Sequence, residues 1–327
     1  MLALATGLAA CPEASDPASP GGGPVEGAGS PSGQDGGSVS GDAASPPGSE
    51  PPTGSLDEPG SGEQRPLVIQ APVSVPIGRP WPIVVSAPHP VSDNVVVSVG
   101  EGGTQYPLRL YRGKGSVSVS VDAPGPLSIL AEAPGWQGRL DVLAEQRPPR
   151  EMAGTLRGSD LVWSADRDVV VSATVLVERG DTLTVGAGTR VFLASRARVE
   201  VLGTLRSEGQ ALEPVLFTVS GAEPWGELLL GTDARAEPNE TFLLGGGGDV
   251  TRAFGHSDSQ PVVRVSAAAL TMTGGGILDA PGKAFGSDGG IIDLTGVIVS
   301  RVDQGGEHKN AQVLLKASHF LEIPDGD

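Results

Sequence analysis

The chain has 327 residues, with 49 Gly, 29 Pro, one Cys and a formal net charge of −17. A pI near 4.6 argues against nucleic-acid binding, which needs a basic surface over the phosphates. The single Cys excludes an intramolecular disulfide and a cysteine-rich zinc site, and no apolar run reaches the roughly 18 residues of a membrane-spanning helix.

The first 11 residues are apolar or small and end at the only cysteine, Cys11. Leu8, Ala9 and Ala10 before it resemble the lipobox of bacterial lipoproteins. That resemblance implies that the signal is cut before Cys11 and that the cysteine carries lipid, which holds a protein to a bilayer through its acyl chains. It also implies a bacterial cell envelope location, and Pro12 favours the outer membrane because it is not the inner-membrane retention Asp.

Residues 12–65 form the next segment, with 13 Gly, 10 Pro, 10 Ser and nine acids against one Arg. Such a segment buries too little apolar surface to offset its ordering entropy, so we expect a disordered acidic tether. A flexible chain of this length spans about 40 Å on average, which would hold a folded part clear of a lipid surface.

Residues 66–146 contain seven short β-branched runs separated by Pro, Gly and Asp. The runs are Val73–Ile77, Pro82–Ser86, Val95–Val99, Leu108–Tyr111, Ser116–Val121, Leu127–Ala131 and Leu140–Leu143. Their spacing predicts a β-sandwich, and the strict alternation of Ser116–Val121 predicts one buried and one wet face. The region resembles bacterial immunoglobulin-like modules, which usually serve as spacers or adhesion units; Trp81 and Trp136 are expected in its core.

After the Pro-containing joint at residues 146–150, short aliphatic triplets recur every 6 to 8 residues with glycines between them. This spacing over residues 151–327 is too tight for ordinary hairpins and predicts a parallel β-helix. Later triplets come in pairs, which we expect to fill one coil each. The pairs are Val262–Val265 with Leu270–Met272, Ile291–Leu294 with Val297–Val299, and Val313–Leu315 with His319–Leu321; their first members lie 29 and then 22 residues apart.

Residues 154–226 also carry a motif that resembles bacterial right-handed β-helix proteins of the pectate-lyase-like fold. The matching segments are Gly154–Leu156, Leu161–Trp163, Gly180–Val185, Gly188–Thr189, Val201–Leu205, Glu208–Gly209, Pro214–Thr218 and Trp225–Gly226. The resemblance implies the fold and no particular activity, because lyases, hydrolases and adhesins share it. The chain stops soon after an apolar strand, so we expect further coils beyond Asp327.

Enzymes on this fold use acid clusters and basic side chains on one long face. Candidates here are the acids Asp279, Asp288, Asp293, Asp303, Asp325 and Asp327 and the bases Lys283, Arg301 and Lys309. Several of the acids lie in Gly-rich turns, where Asp is favoured for local hydrogen bonds, and Asp293 should point outward by alternation. Asp325 and Asp327 could begin an oxygen-ligand Ca²⁺ site. The run His256-Ser257-Asp258 has the residue types of a hydrolase triad but is best interpreted as a loop.

The sequence therefore predicts an all-β protein, with an Ig-like β-sandwich followed by a right-handed parallel β-helix. The favoured function is a lipid-anchored envelope protein with a structural or adhesive role, whose partner is a polysaccharide or another surface protein. No catalytic residue is assigned. The alternative is a carbohydrate-active enzyme, either a polysaccharide lyase or a glycoside hydrolase.

Overall fold

A computed structural model describes residues 64–88, 94–256 and 258–324. The fold is nearly all β, with 3% helix, so the predicted fold class is confirmed. The helical residues form two short 3₁₀ turns, Gly158–Leu161 and Val250–Arg252. None of the helices described is long and apolar enough to cross a membrane.

Nine strands build a two-sheet sandwich. They are β1 Arg65–Pro66, β2 Val68–Gln70, β3 Ser74–Val75, β4 Trp81–Ser86, β5 Asn94–Val99, β6 Thr104–Arg109, β7 Lys114–Val119, β8 Gly125–Ala133 and β9 Trp136–Ala144. One sheet has the order β1-β9-β8-β5-β6, with β3 also paired to β9, and the other has the order β2-β4-β7. Trp81 and Trp136 are buried in its core, as their apolar rings favour.

The remaining strands build the solenoid. They are β10 Pro149–Thr155, β11 Val162–Trp163, β12 Asp168–Val177, β13 Thr182–Val185, β14 Arg190–Leu193, β15 Val199–Val201, β16 Thr204–Glu208, β17 Val215–Val219, β18 Leu228–Leu230, β19 Arg235–Asn239, β20 Thr241–Leu244, β21 Pro261–Ser266, β22 Ala269–Thr273, β23 Gly276–Ala280, β24 Lys283–Asp288, β25 Ile291–Thr295, β26 Ile298–Val302, β27 Gly306–Lys309, β28 Gln312–Lys316 and β29 His319–Leu321.

These strands stack into three parallel ladders, and the chain visits each ladder once per coil. Ladder 1 contains the first half of β12 and then β14, β17, β20, β23, β26 and β29; ladder 2 contains the second half of β12 and then β15, β18, β21, β24 and β27. Ladder 3 contains β11, β13, β16, β19, β22, β25 and β28. The result is a right-handed parallel β-helix of about 8 turns, as the sequence predicts.

Stacked aliphatic rungs fill the inside of the coil. In ladder 3, Leu183 pairs with Leu205, and Leu270 pairs with Ile292, at 0% or 1% exposure. Every such rung removes apolar surface from water only because its neighbours cover it, so the coils depend on each other for stability.

The predicted coil boundaries after residue 260 are partly wrong. Val262–Val265 does not stack on Ile291–Leu294; it pairs with β24, while Ile291–Leu294 pairs with β22. The strand at Lys283–Asp288 is not predicted from the sequence, because it holds Gly286 and Ser287 instead of an aliphatic run. Its β-structure comes from pairing on both sides, with β21 and β27.

The sandwich packs on the outer face of ladder 1, and all described residues belong to one compact unit. Outward residues of ladder 1 share a continuous apolar core with the sandwich: Leu216, Phe242, Leu244, Leu278, Ile298 and Leu321. The middle strand β4 is buried at five successive positions, so both of its faces are covered.

This packing corrects the prediction of a wet serine face on β7. Ser116 is buried and Ser118 is half-buried, because ladder 1 covers the side of the sheet that alternation alone would leave in water. Ser118 donates a hydrogen bond to Asp279 of the solenoid.

Candidate functional site

The outward faces of the three ladders differ in what covers them. The sandwich covers ladder 1, as described above. The segment between β20 and β21, which includes the 3₁₀ turn Val250–Arg252, contacts the outward side of ladder 2 through Arg252 and Glu227. The outward positions of ladder 3 are exposed or half-buried in every coil, while the inward ones are buried in all but the last.

Ladder 3 therefore presents a mostly polar surface, which we call the open face and which includes the exposed apolar side chains of Ile291 and Leu314. Its residues are Thr182, Thr184, Thr204, Arg206, Glu208, Arg235, Glu237, Asn239, Ala269, Thr271, Thr273, Ile291, Asp293, Thr295, Gln312, Leu314 and Lys316. Three of these side chains are cationic and three are anionic, so the face is neutral in a chain whose net charge is −17. Two pairs form across coils, Arg206 with Glu237 at 3.3 Å and Lys316 with Asp293 at 3.3 Å.

Two predicted candidates, Asp279 and Arg301, come together at the same bend of successive coils. Arg301 Nε lies 2.5 Å from Asp279 Oδ1, and Arg301 Nη1 lies 3.3 Å from Glu322 Oε2 in the next coil. All three residues have left-handed backbones, with φ of 51°, 54° and 51° in chain order. Arg301 Nη1 also donates to the carbonyl oxygen of Ser116 in the sandwich, at 2.6 Å.

The surroundings fix Arg301 as a cation. Burial alone would lower the pKa of its guanidinium, but the hydrogen bonds and charges of Asp279 and Glu322 outweigh burial and raise the pKa. Because its donors bind two carboxylates and the sandwich backbone, Arg301 is positioned to hold the two parts together.

Lys283 is also tied into a cross-coil ion pair. Its ammonium is fully buried and donates to Glu307 Oε2 at 2.7 Å and to the carbonyl oxygen of Phe254 at 2.6 Å. The hydrogen bond from Lys283 lowers the pKa of Glu307 from 4.5 to about 2; burial opposes this shift and His256 supports it. His256, the first residue of the triad-like run, bonds Glu307 through Nδ1 at 2.8 Å.

The other described candidates do not converge. Asp293 points outward, as alternation predicts, and Asp288 and Lys309 share a register position without an ion pair. Asp303 lies beyond β26, where its amide donates to the carbonyl oxygen of Gly282. The predicted acids and bases are therefore distributed over the coils, and the described ones that meet do so as opposite charges.

Several predicted sites lie outside the described residues. These are the lipobox residues Leu8, Ala9 and Ala10, the lipid-attachment residue Cys11, the acids Asp325 and Asp327 of the predicted Ca²⁺ site, and Ser257. Within the described ranges, no three His, Cys, Asp or Glu side chains are grouped so that they could hold a metal ion.

Sequence reasoning missed a cluster of arginines around Glu227, which we call the arginine cluster. Glu227 immediately precedes β18, is 0% exposed, and accepts from Arg252 Nε at 2.7 Å and Arg264 Nε at 2.7 Å. Arg198 Nη1 lies 3.9 Å from the same carboxylate. The guanidinium of Arg264 also lies over the ring of Phe254, 5.2 Å from its centroid. Arg198 and Glu227 occupy matching positions just before β15 and β18, which a correct coil register would have shown.

A second missed pair closes the joint between the two parts. Arg190 is 2% exposed and lies 2.6 Å from Asp168 in the neighbouring coil. It also donates to the carbonyl oxygen of Glu145, the residue directly before the Pro-containing joint. Arg147 from the joint donates to Ser74 in the sandwich and to the Gly188 carbonyl in the solenoid, so the joint is fixed from both sides.

A serine and a histidine meet near the last described coils. Ser287 Oγ lies 2.8 Å from His308 Nδ1, and burial lowers the pKa of the imidazole. The carboxylate next to this histidine in sequence, Glu307, is bound by Lys283 and His256. The pair therefore lacks the third, orienting carboxylate of a hydrolase triad among the described residues.

No protein-family model matches this sequence, and no curated protein matches it. Several solved structures show partial similarity. The PKD domain of an M14-like peptidase from Thermoplasmatales archaeon SCGC AB-540-F20 is 17% identical, with 25% of this chain and 95% of that chain covered and a TM-score of 0.20.

A superoxide reductase (neelaredoxin) from Ignicoccus hospitalis is 18% identical, with 25% of this chain and 81% of that chain covered and a TM-score of 0.20. The carbohydrate acetylesterase XAC1771 from Xanthomonas citri is 12% identical, with 31% of this chain and 28% of that chain covered and a TM-score of 0.21. Similarities this low establish no relationship of function.

Proposed function

We propose that the protein is a lipid-anchored protein of the bacterial cell envelope whose β-helix has a structural or adhesive role. The observation that carries the adhesive role is the open face. It is a parallel sheet about 4.8 Å from rung to rung, polar and rich in threonine. A neutral face on an acidic chain lowers the electrostatic barrier to contact with other acidic surfaces of an envelope.

The sandwich supports this role by its position. It is joined to the solenoid by a shared apolar core, by Arg301 and by Arg147, so the open face belongs to one compact body. A rigid surface loses little conformational entropy on binding, which favours association with an extended partner such as a polysaccharide or another surface protein.

Several candidate catalytic residues are held in ion pairs, which argues against a carbohydrate-active enzyme. A general acid or base needs a proton-exchanging group that faces substrate. Asp279 and Arg301 are bound to each other and to the sandwich, and Lys283 is buried against Glu307.

Binding by the open face is tested by incubating the purified chain with envelope fractions and measuring the bound share by immunoblot. Thr271→Glu places an anion at an exposed position in the middle of the face, and we expect it to reduce binding because it repels acidic envelope surfaces. Thr104→Glu is the matched control, because Thr104 is exposed on the sandwich away from the open face. Equal binding by both variants would contradict a binding role of this face.

The enzymatic alternative has its own test. The full chain is incubated with acidic polysaccharides, and the ultraviolet absorbance of unsaturated products and the release of reducing ends are followed. We expect neither signal, and sustained product formation would replace the binding proposal with the lyase or hydrolase one.

The anchor is tested by Cys11→Ser, which removes the thiol that would carry lipid. We expect the protein to move from the membrane pellet to the soluble fraction, because a lipid-modified chain is held by its buried methylenes. Retention in the pellet by the variant would exclude Cys11 as the attachment point.

A further inference from the structure

The arginine cluster holds more positive charge than its carboxylate can balance. Arg198, Arg252 and Arg264 surround the single buried carboxylate of Glu227, which leaves two excess positive charges. The adjacent Lys283 and Glu307 neutralise each other, and the carboxylate of Asp249 interacts with Arg252 and with a fourth arginine, Arg196, so neither pair changes this excess. Like charges this close repel one another, and partial burial weakens the screening of that repulsion.

The cluster keeps unused hydrogen-bond donors. Arg252 and Arg264 bind Glu227 through Nε, and no hydrogen bond to another described residue involves the Nη groups of Arg252 or any nitrogen of Arg198. Among the described residues, none of these nitrogens is both buried and without a hydrogen-bond partner. They are therefore accessible to solvent. The three arginine side chains are only 16% to 34% exposed, so these donors lie in a partly dry setting.

Two of the three arginines are also held in place. Arg264 lies within β21 and Arg252 closes the 3₁₀ turn, and both donate to Glu227, whereas Arg198 is positioned through its backbone beside β15. Asp249 accepts from the amide and the hydroxyl of Thr251 at the start of that turn. Arg264 Nη2 in turn donates to the carbonyl oxygen of Arg252. Fixed guanidinium groups lose less entropy per hydrogen bond than mobile ones, and their planar fork matches an oxyanion.

We propose that Arg198, Arg252 and Arg264 form a binding site for an oxyanion, such as a sulfate or carboxylate group, next to the buried Glu227. The anion would neutralise the excess charge and accept from the free Nη groups. This inference is independent of the binding role proposed for the open face, which lies on another ladder.

A purely structural role is the competing explanation, and Arg198 separates the two. Arg252 and Arg264 attach the segment between β20 and β21 to ladder 2, so their loss would disturb the fold under either explanation. Arg198 makes no hydrogen bond to Glu227 at 3.9 Å, and it lies on the strand side of the cluster. A structural role therefore predicts no special importance of Arg198 for anions.

The test is titration of the full 327-residue chain with sodium sulfate, and separately with sodium acetate, at constant ionic strength set by sodium chloride. Calorimetry measures the affinity. We expect saturable binding to one site, by at least one of the two anions, and about tenfold weaker binding in Arg198→Gln, since a charge-assisted hydrogen bond is lost.

Arg139→Gln is the matched control, because Arg139 is an exposed arginine of the sandwich that pairs with Asp141, and the affinity of this variant should stay within about twofold. The unfolding midpoint of each variant verifies that it is folded. If Arg198→Gln does not fold, Arg198→Lys replaces it in the test. This variant keeps the charge and loses the planar fork of the guanidinium, so we expect it to weaken binding several-fold. No saturable binding of either anion, or equal affinity in the wild type and the folded Arg198 variant, would overturn the proposal.

Discussion

The outer faces of ladder 1 and ladder 3 are made of the same kind of strand, but the first is buried and the second is exposed to solvent. In ladder 1 the outward rows contain Leu216, Phe242 and Leu278, and they are buried under the sandwich. In ladder 3 the outward rows contain Thr182, Thr271 and similar polar residues, and they remain in water. Since both ladders share one backbone geometry, the outward side chains alone decide which face acquires a partner.

The difference is already visible as a difference in periodicity. Rungs of ladder 1 are apolar at three successive positions, as in Val191–Leu193 and Phe242–Leu244, whereas Thr182–Val185 of ladder 3 alternates. A continuously apolar strand is buried on both faces, and an alternating strand on one. Substitutions on the covered face of ladder 1 should therefore change stability more than substitutions on the open face of ladder 3.

The largest effect is expected from Phe242→Ala, which leaves a cavity between ladder 1 and the sandwich. Phe242 is 1% exposed, so the free energy of unfolding should fall by about 3–5 kcal/mol. Thr271→Ala on the open face should change it by less than about 1 kcal/mol. Urea unfolding of both variants measures the contrast, and similar losses would mean that the two faces do not differ as described.

The polar part of the covered interface should contribute less. Arg301→Gln removes the hydrogen bonds to Asp279 and to the Ser116 carbonyl, and we expect a loss of about 1–3 kcal/mol. A double-mutant cycle with Asp279→Asn should give a coupling of at least about 0.5 kcal/mol. The exposed pair Arg206 and Glu237 on the open face provides the control cycle, in which the coupling should be near zero. Equal couplings in the two cycles would show that the covered interface adds nothing to the ion pair.

The outward face of ladder 2 is partly covered. The pH dependence of stability tests how much its ion pair between Glu307 and Lys283 contributes. The folded pKa of this carboxylate is about 2 against an ordinary 4.5. A lowered pKa means that the folded state binds the proton less tightly than the unfolded chain, so the stabilisation is complete above about pH 4.5 and is lost as the pH falls through about 2. Glu307→Gln should therefore lose less stability than the wild type between about pH 5 and about pH 3.

Urea midpoints at these two pH values give the comparison for Glu307→Gln. Thr271→Ala is the control on the open face, because it removes no titratable group. Its pH dependence should match the wild type. If Glu307→Gln also matches the wild type, the pair with Lys283 does not stabilise the fold in the way inferred from its geometry.

The sequence predicts the rungs better than the contacts between coils. Aliphatic triplets such as Leu183–Val185 mark strands directly, because their side chains fill the coil. The strand Lys283–Asp288 carries no such mark, since Gly286 packs under Pro261, where an added Cβ would come within 2.9 Å of the proline ring. Small residues are required there by the neighbouring coil, which only the register reveals.

The candidate sites show the same limit. Arg198 and Glu227 are 29 residues apart in sequence, whereas Asp279 and Arg301 are 22 apart, because the loops between ladders vary in length. A single repeat length cannot place both pairs side by side. The charge excess around Glu227 depends on Arg252 from the longest connection between ladders 1 and 2, so no spacing rule would have found it.

The smallest effect on stability, with the largest effect on binding, is expected for Thr271→Glu. An exposed carboxylate on ladder 3 adds no buried charge, so the unfolding free energy should change by less than about 1 kcal/mol. The same substitution places an anion next to Asp293 in the centre of the open face, so it should reduce attachment to acidic envelope fractions. A loss of stability as large as that of Phe242→Ala would mean that ladder 3 is covered after all, since only a buried position makes a carboxylate that costly.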